Sequence, residues 1–439
     1  MVLEHRGQSN HLRQQAFMDQ IIARPSGQKS SSTHVPQGHA KGATAPLGKY
    51  AKSSPPPSLP QDDRAKLRAT RAERYRLLSG ARAIFLWAGR QAGLEHPGNF
   101  HRTAKCRYVP HGQVGVWRSQ AHAGAFYSGL TTCGSVWACP VCTAVVQERR
   151  REEIAQAIDW AYAQGLQPVM VTLTFPHRSW HRLGDLLAQQ ADALTRLRKG
   201  RAWDKLKRRW GYRGLIRALE LTHGEHGWHP HTHELWLVDK DTDAEQMRAE
   251  ILERWQSACA RAGLLDLADA DQVRAFEAHA VDVKGNCSAS DYLAKQDEAR
   301  HWGADRELAK ASTKAGRAKG RHPFAILADA TDGDPQAIAL WLDYAEAIHG
   351  KAQLFWSRGL KALVGVADRT DEELAEESRD AADVLGMLDA QQWRAIRRAD
   401  KRAEVLDAAE ASGWPGVLAV LAGIGPPTIP AAYDNIHDG

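Results

Sequence analysis

Between His223 and His233, eleven residues hold five histidines, and the run continues as His231-Thr-His-Glu-Leu-Trp-Leu-Val238. No other segment limits the fold as much. The apolar run Leu235 to Val238 after two closely spaced histidines suits a β-strand. In a strand, residues i and i+2 project from one face, so the His231 and His233 imidazoles stand side by side. Placing both in a half-buried surface is costly unless something coordinates or hydrogen-bonds them. The pair is half of a divalent metal site. Arg213 to Thr222 reads as the preceding strand, with His223 to Pro230 as the hairpin loop. A symmetric loop sets Glu220 opposite His233, and opposed residues share a face. A one-residue slip would turn Glu220 away. Two imidazoles and a carboxylate can hold Mg²⁺ or Mn²⁺, although imidazole alone favours zinc.

The 439 residues suffice for two or three domains. No apolar run reaches the roughly 18 residues of a membrane span, and the N-terminus lacks a secretion-signal pattern, so the expectation is a soluble, cytoplasmic protein with no membrane partner. The net charge of +6 is modest, but its distribution is uneven. Arg196 to Arg213 carries nine Lys or Arg against Asp204 alone, interleaved with Trp203, Trp210 and Tyr212. Lys310 to Arg321 adds five basic residues and no acid. Basic segments with aromatics suit a phosphate backbone and unstacked bases, so DNA is the expected partner; a solvated helix face is the alternative.

Residues 1–60 are rich in Ser, Gln, Gly and Pro and predict a disordered tail. A helix is expected from Asp62 to about Ala92, an irregular cysteine-bearing stretch over 100–147, and a helix from Glu148 to about Ala163. Val169, Val171, Leu173 and Phe175 alternate with Met170, Thr172 and Thr174, which predicts a half-buried strand. A helix over 183–199, the hairpin, a helix over 243–262 and a strand near 277–283 follow. The order is β-α-β-β-α-β, the split-βαβ or ferredoxin-like arrangement, which puts Thr172 and Thr174 beside the histidine strand. A helix opens at Ser288. Beyond about 300 the chain reads as helical, with a helix over Trp393–Ala409. The fold class is α+β.

Cys133, Cys139 and Cys142 crowd into ten residues, the spacing of a structural zinc site rather than a disulfide framework. Cys106 is the preferred fourth ligand, with His101, His111 or His122 as substitutes. Cys259 and Cys287 read as ordinary buried thiols. In Ser288-Ala-Ser-Asp-Tyr-Leu-Ala-Lys295, Tyr292 and Lys295 share a helix face. A phenol, with a pKa of about 10, is a poor nucleophile at neutral pH. A metal on the target phosphate and a nearby ammonium offset that weakness.

Three segments together resemble the rolling-circle replication initiators of small bacterial plasmids, within the HUH endonuclease superfamily. They are Val171-Thr-Leu-Thr-Phe175, Trp228-His-Pro-His-Thr-His233 with Glu220 before it, and Asp291-Tyr-Leu-Ala-Lys295. The cysteine segment, Gly320–Phe324 and Phe355–Leu360 are also similar, so the resemblance covers about 100–365. It implies a tail (1–60), a helix with a zinc segment (61–147), a nicking domain (148–300) and a helical C-terminal region (301–439). It further implies that His231, His233 and Glu220 hold Mg²⁺ or Mn²⁺, that Tyr292 attacks the scissile phosphate, and that Lys295 positions the metal or neutralises charge. The freed 3′-hydroxyl would prime a host polymerase, with a host helicase as further partner and an oligomer as an option. Position 232 is Thr rather than a large apolar residue, and Ser288 stands where some members carry a Glu. Termination then falls to Asp291, Asp297, Glu298 or a second subunit. Alternatives are an HUH relaxase or transposase, a zinc-dependent DNA-binding regulator, and a zinc hydrolase using the His223–His233 cluster.

Overall fold

The computed structural model describes residues 61–96, 99–120, 123–288, 320–376 and 381–424. The expected tail, His122, and the helix carrying Tyr292 and Lys295 lie outside the described residues.

A five-stranded antiparallel sheet is built from β3 (Leu166–Leu173), β4 (Gly214–Gly224), β5 (Gly227–Asp239), β6 (Val281–Lys284) and β7 (Leu354–Trp356), in the order β6-β3-β5-β4-β7. β3 and β5 are neighbours, and Thr172 pairs with His233. The two faces follow from side-chain alternation. Val169, Val171, Leu173, Trp236 and Val238 face α3 (Leu183–Leu197) and α5 (Ala244–Arg261), whose Leu187, Leu194, Ile251 and Trp255 join the same core. Met170, Ile216, Leu235 and Leu237 pack instead with Ile154, Ala157 and Ile158 of α2 (Pro140–Ala163). The histidines lie on this second face, in register with Leu235 and Leu237.

Several expectations require correction. α2 starts at Pro140 rather than Glu148, because Cys139 caps it with its sulfur on the Cys142 N–H and proline suits the first helical turn. A short helix, α4 (Gly200–Arg209), lies in the basic stretch, and another, α6 (Ala270–His279), occupies residues expected to begin the last strand. The stretch 100–147 is not irregular throughout: it contains β1 (Pro110–Ser119) and β2 (Ala125–Leu130). Gly112 and Gly115 hide the strand pattern there, and Gly115 is required because a Cβ would meet the Trp117 indole at 2.6 Å. These two strands form a second sheet with β8 (Ala382–Leu388), from the C-terminal region.

That region is otherwise helical: α7 (Pro323–Thr331), α8 (Pro335–Ala347), α9 (Leu360–Val364), α10 (Asp371–Ala375), α11 (Ala390–Arg398) and α12 (Arg402–Gly423). The single helix expected over 393–409 is two, separated at Asp400, which has a positive φ of 52°. α12 reaches the length and hydropathy (1.2) of a membrane span, contrary to the expectation of no such run. It is broken at Gly413 and carries Pro415, and its Val405, Leu406, Ala409 and Val417 enter a core with Tyr75, Val116, Tyr127 and Trp393.

The aromatics of the basic stretch are core residues, not a platform for unstacked bases. Trp203 and Trp210 are buried, and both indoles and Tyr212 pack around Trp236 with centroids 5.6–6.1 Å away. Beneath them Glu234 is fully buried, accepting from Trp236 Nε1 at 2.7 Å and from Arg198. Arg198→Ala would strand this carboxylate, and a loss of about 3–5 kcal/mol is expected. The shift of the urea-unfolding midpoint measures it; an unchanged midpoint would mean that Glu234 finds another partner.

Candidate metal centres

The histidine site is set by the register of the β4–β5 hairpin. Gly224 pairs with Gly227, so the turn is only Glu225-His226, and Glu220 lies opposite His231, not His233 as the symmetric-loop argument expects. The error is two residues, an even number, so Glu220 remains on the histidine face. The tighter turn depends on Gly227, whose φ is +83° and where a Cβ would meet Ser179 Cα at 2.9 Å.

Glu220 Oε2 lies 3.3 Å from His231 Nε2 and 3.3 Å from His233 Nε2. The opposite ring nitrogens are tied down: His231 Nδ1 lies 3.3 Å from the His229 carbonyl, and His233 Nδ1 lies 3.0 Å from Thr172 Oγ1. A proton on each Nδ1 leaves both Nε2 lone pairs aimed at one point beside the carboxylate. The three ligand atoms lie within 4.8 Å of one another. Such a mixed nitrogen and oxygen set fits a divalent ion such as Mn²⁺ or Mg²⁺, with room for substrate oxygens. Burial works against the Glu220 charge, but the hydrogen bonds to His231 and His233 outweigh it and hold the carboxyl well below the usual range.

Further histidines surround the site. His229 contacts Thr174 Oγ1 at 3.3 Å and His177 Nδ1 at 3.2 Å, and burial, then His231, push its pKa down to about 3. His322, the N-cap of α7, is driven to about 4 by burial, partly countered by Glu220. Sequence reasoning missed His177 and His322 as neighbours of the site. His322 had a signal, since it lies in the similar stretch Gly320–Phe324. His177 had none beyond its place just after β3.

Thr172→Val tests the hydroxyl support. Valine suits a strand, but His233 loses its partner, and Mn²⁺ affinity is expected to fall about 10–100-fold by calorimetry. Unchanged affinity would show that the hydroxyl does not orient the ring.

The second centre joins Cys106, Cys133, Cys139 and Cys142, all buried. Sulfur separations are 3.4 Å (Cys106–Cys142), 3.6 Å (Cys106–Cys139) and 3.8 Å (Cys133–Cys142). A tetrahedral ion at about 2.3 Å from each sulfur requires edges of about 3.8 Å, so the four fit zinc. Backbone N–H groups of Cys133, Ser135 and Cys142 point at the sulfurs, as thiolates require. The substitute ligands do not join them. His101 stacks on Phe85 at 4.0 Å, and His111 is exposed on β1. Cys259 and Cys287 are buried apart from this cluster.

A family described as Replication protein matches residues 129–400, a span that includes three of the four cysteines and all of Glu220, His231 and His233. The chain is 28% identical over 364 residues to "Protein rep" of Streptomyces lividans, covering 67% of this chain and 79% of that protein. It is also 38% identical over 159 residues to "Neomycin resistance protein" of Streptomyces cyanogenus, covering 30% of this chain and 36% of that protein. No solved structure matches. With more than half of its length matched, the chain belongs to this family of replication proteins.

Proposed function

We propose that this protein initiates rolling-circle replication of a plasmid by nicking one strand at the origin through an HUH-type tyrosine mechanism. The observation that carries the reading is the convergence of His231, His233 and Glu220 on one sheet face, with the imidazoles fixed from behind. The strand order β6-β3-β5-β4 supports it, being that of a split-βαβ sheet with the histidine strand at its centre.

A divalent ion held there supplies electrophilic polarisation of the scissile phosphate. The protein's own contribution is positional. The Thr172 hydroxyl and the His229 carbonyl fix the two rings, and Glu220 offsets the ion's charge. The Tyr292 oxygen bonds to phosphorus, the bond to O3′ breaks, and the phenolic proton ends on the departing 3′-hydroxyl. Lys295 neutralises charge on the phosphate. Eight residues separate Lys284 at the end of β6 from Tyr292, a reach of up to about 27 Å when extended. A host polymerase and helicase would act on the product in the cytoplasm.

The test is incubation with single-stranded DNA from the flanking region and Mn²⁺, followed by denaturing electrophoresis. A protein–DNA adduct is expected for the native chain and none for Tyr292→Phe. A regulator gives no adduct with either protein. A zinc hydrolase would cleave indifferently to the substitution. An adduct that persists in Tyr292→Phe would sink the assignment of the nucleophile.

A further inference from the structure

Asp282 lies on β6, where Val281 and Val283 are buried while Asp282 and Lys284 are exposed. Thr172 pairs with Asp282 on one side and with His233 on the other. The three residues therefore form one row across the sheet and share a face. Two strand spacings put the Asp282 backbone about 10 Å from that of His233. Lys284, two residues along on the same face, holds Nζ 3.9 Å from Asp282 Oδ2. Glu220 meets both imidazoles through a single oxygen, so its carboxylate is committed to the histidines. The row thus has an occupied carboxylate at one end and a solvent-facing one at the other.

Resting on the proposed function, we infer that Asp282 is the general base that hydrolyses the tyrosine–DNA linkage and releases the protein. A covalent phosphotyrosine is a dead end unless a second nucleophile displaces the phenol. Water is a weak nucleophile, and removing its proton during attack is the kind of assistance a carboxylate gives. In this step the water oxygen bonds to phosphorus and the bond to Tyr292 Oη breaks. The water proton passes to Asp282 and returns through solvent to the departing phenolate. The products are free tyrosine and a DNA 5′-phosphate. At about 10 Å between backbones, a phosphate beside the histidines and one water fit between Asp282 and the metal ligands. The exposed Lys284 beside it can meet the phosphate or the departing strand.

The experiment uses the full chain, Mn²⁺ and single-stranded oligonucleotides tiling the DNA that flanks the reading frame. Adduct is formed, free DNA is removed, and decay of the adduct is followed on denaturing gels. Asp282→Asn is expected to form adduct at the native rate but to prolong its lifetime about 100-fold. Asp282→Glu, which keeps the carboxylate, is expected to recover much of the decay. An equal lifetime in Asp282→Asn overturns the inference, as does a folded Asp282→Asn protein that forms no adduct. If the native chain itself forms no adduct, the nicking mechanism fails and the inference falls with it. The two failures are therefore told apart by the native control.

Discussion

Replacing His231 with alanine is expected to reduce strand cleavage by about 10³-fold or more while leaving affinity for duplex DNA nearly unchanged. Electrophilic stabilisation by a bound ion is worth several kcal/mol of barrier, and each 1.36 kcal/mol is tenfold in rate. His231 is an integral ligand rather than a replaceable one, because its Nε2 and that of His233 meet the same Glu220 oxygen. The substitution leaves one imidazole and a carboxylate, too few to retain the ion at ordinary concentrations. Duplex affinity should survive because cationic contacts with phosphates lie elsewhere, on exposed basic residues such as Arg201 and Lys205 of α4. Single-turnover cleavage and a filter-binding titration, run on the same preparation, decide the matter. Parallel loss of both would show that the histidines hold the fold or the DNA rather than the reacting phosphate.

The cysteine centre predicts an even larger effect on stability. Cys139→Ser is expected to lower bound zinc from one equivalent per chain to a small fraction and to lower the melting temperature by at least about 10 °C. Structural zinc contributes apparent folding energies of about 10–16 kcal/mol in small domains, comparable with the whole stability of a typical protein. Here the loss would spread. Cys139 caps α2, and α2 covers Met170, Leu235 and Leu237 of the sheet that holds the histidines. Metal analysis and calorimetry of the native and substituted chains provide the check. A native protein free of zinc that melts at the same temperature would remove the structural role.

The site was legible in the sequence to the extent that it depends on local alternation. Two histidines one residue apart in an apolar strand had to share a face, and Thr172 was expected next to that strand, where it pairs with His233. Cys106 was chosen from a distance and joins the other three cysteines. The hairpin register was not legible, because nothing in a run of glycine and histidine marks where the strands stop pairing. The backbone freedom of Gly227 and its contact with Ser179 extend the ladder to a two-residue turn. Composition likewise could not show that Trp203, Trp210 and Tyr212 serve the core, since an amphipathic basic helix has the same residues whichever side its aromatics face. Asp282 looked like one acid among many until the pairing of β6 with β3 put it in the histidine row.

The partner of β1 across the second sheet is β8, separated from it by nearly the whole matched region. On a ribosome adding about 5–20 residues each second, Ala382 emerges roughly 13–50 s after Ser119. Throughout that interval the edge of β1 has no strand to meet, and Val114, Val116 and Tyr127 lack the covering side chains of α11 and α12. A nascent chain stalled before residue 382 would therefore display an adhesive edge, and premature termination there should yield inclusion bodies or proteolysis rather than a smaller working enzyme.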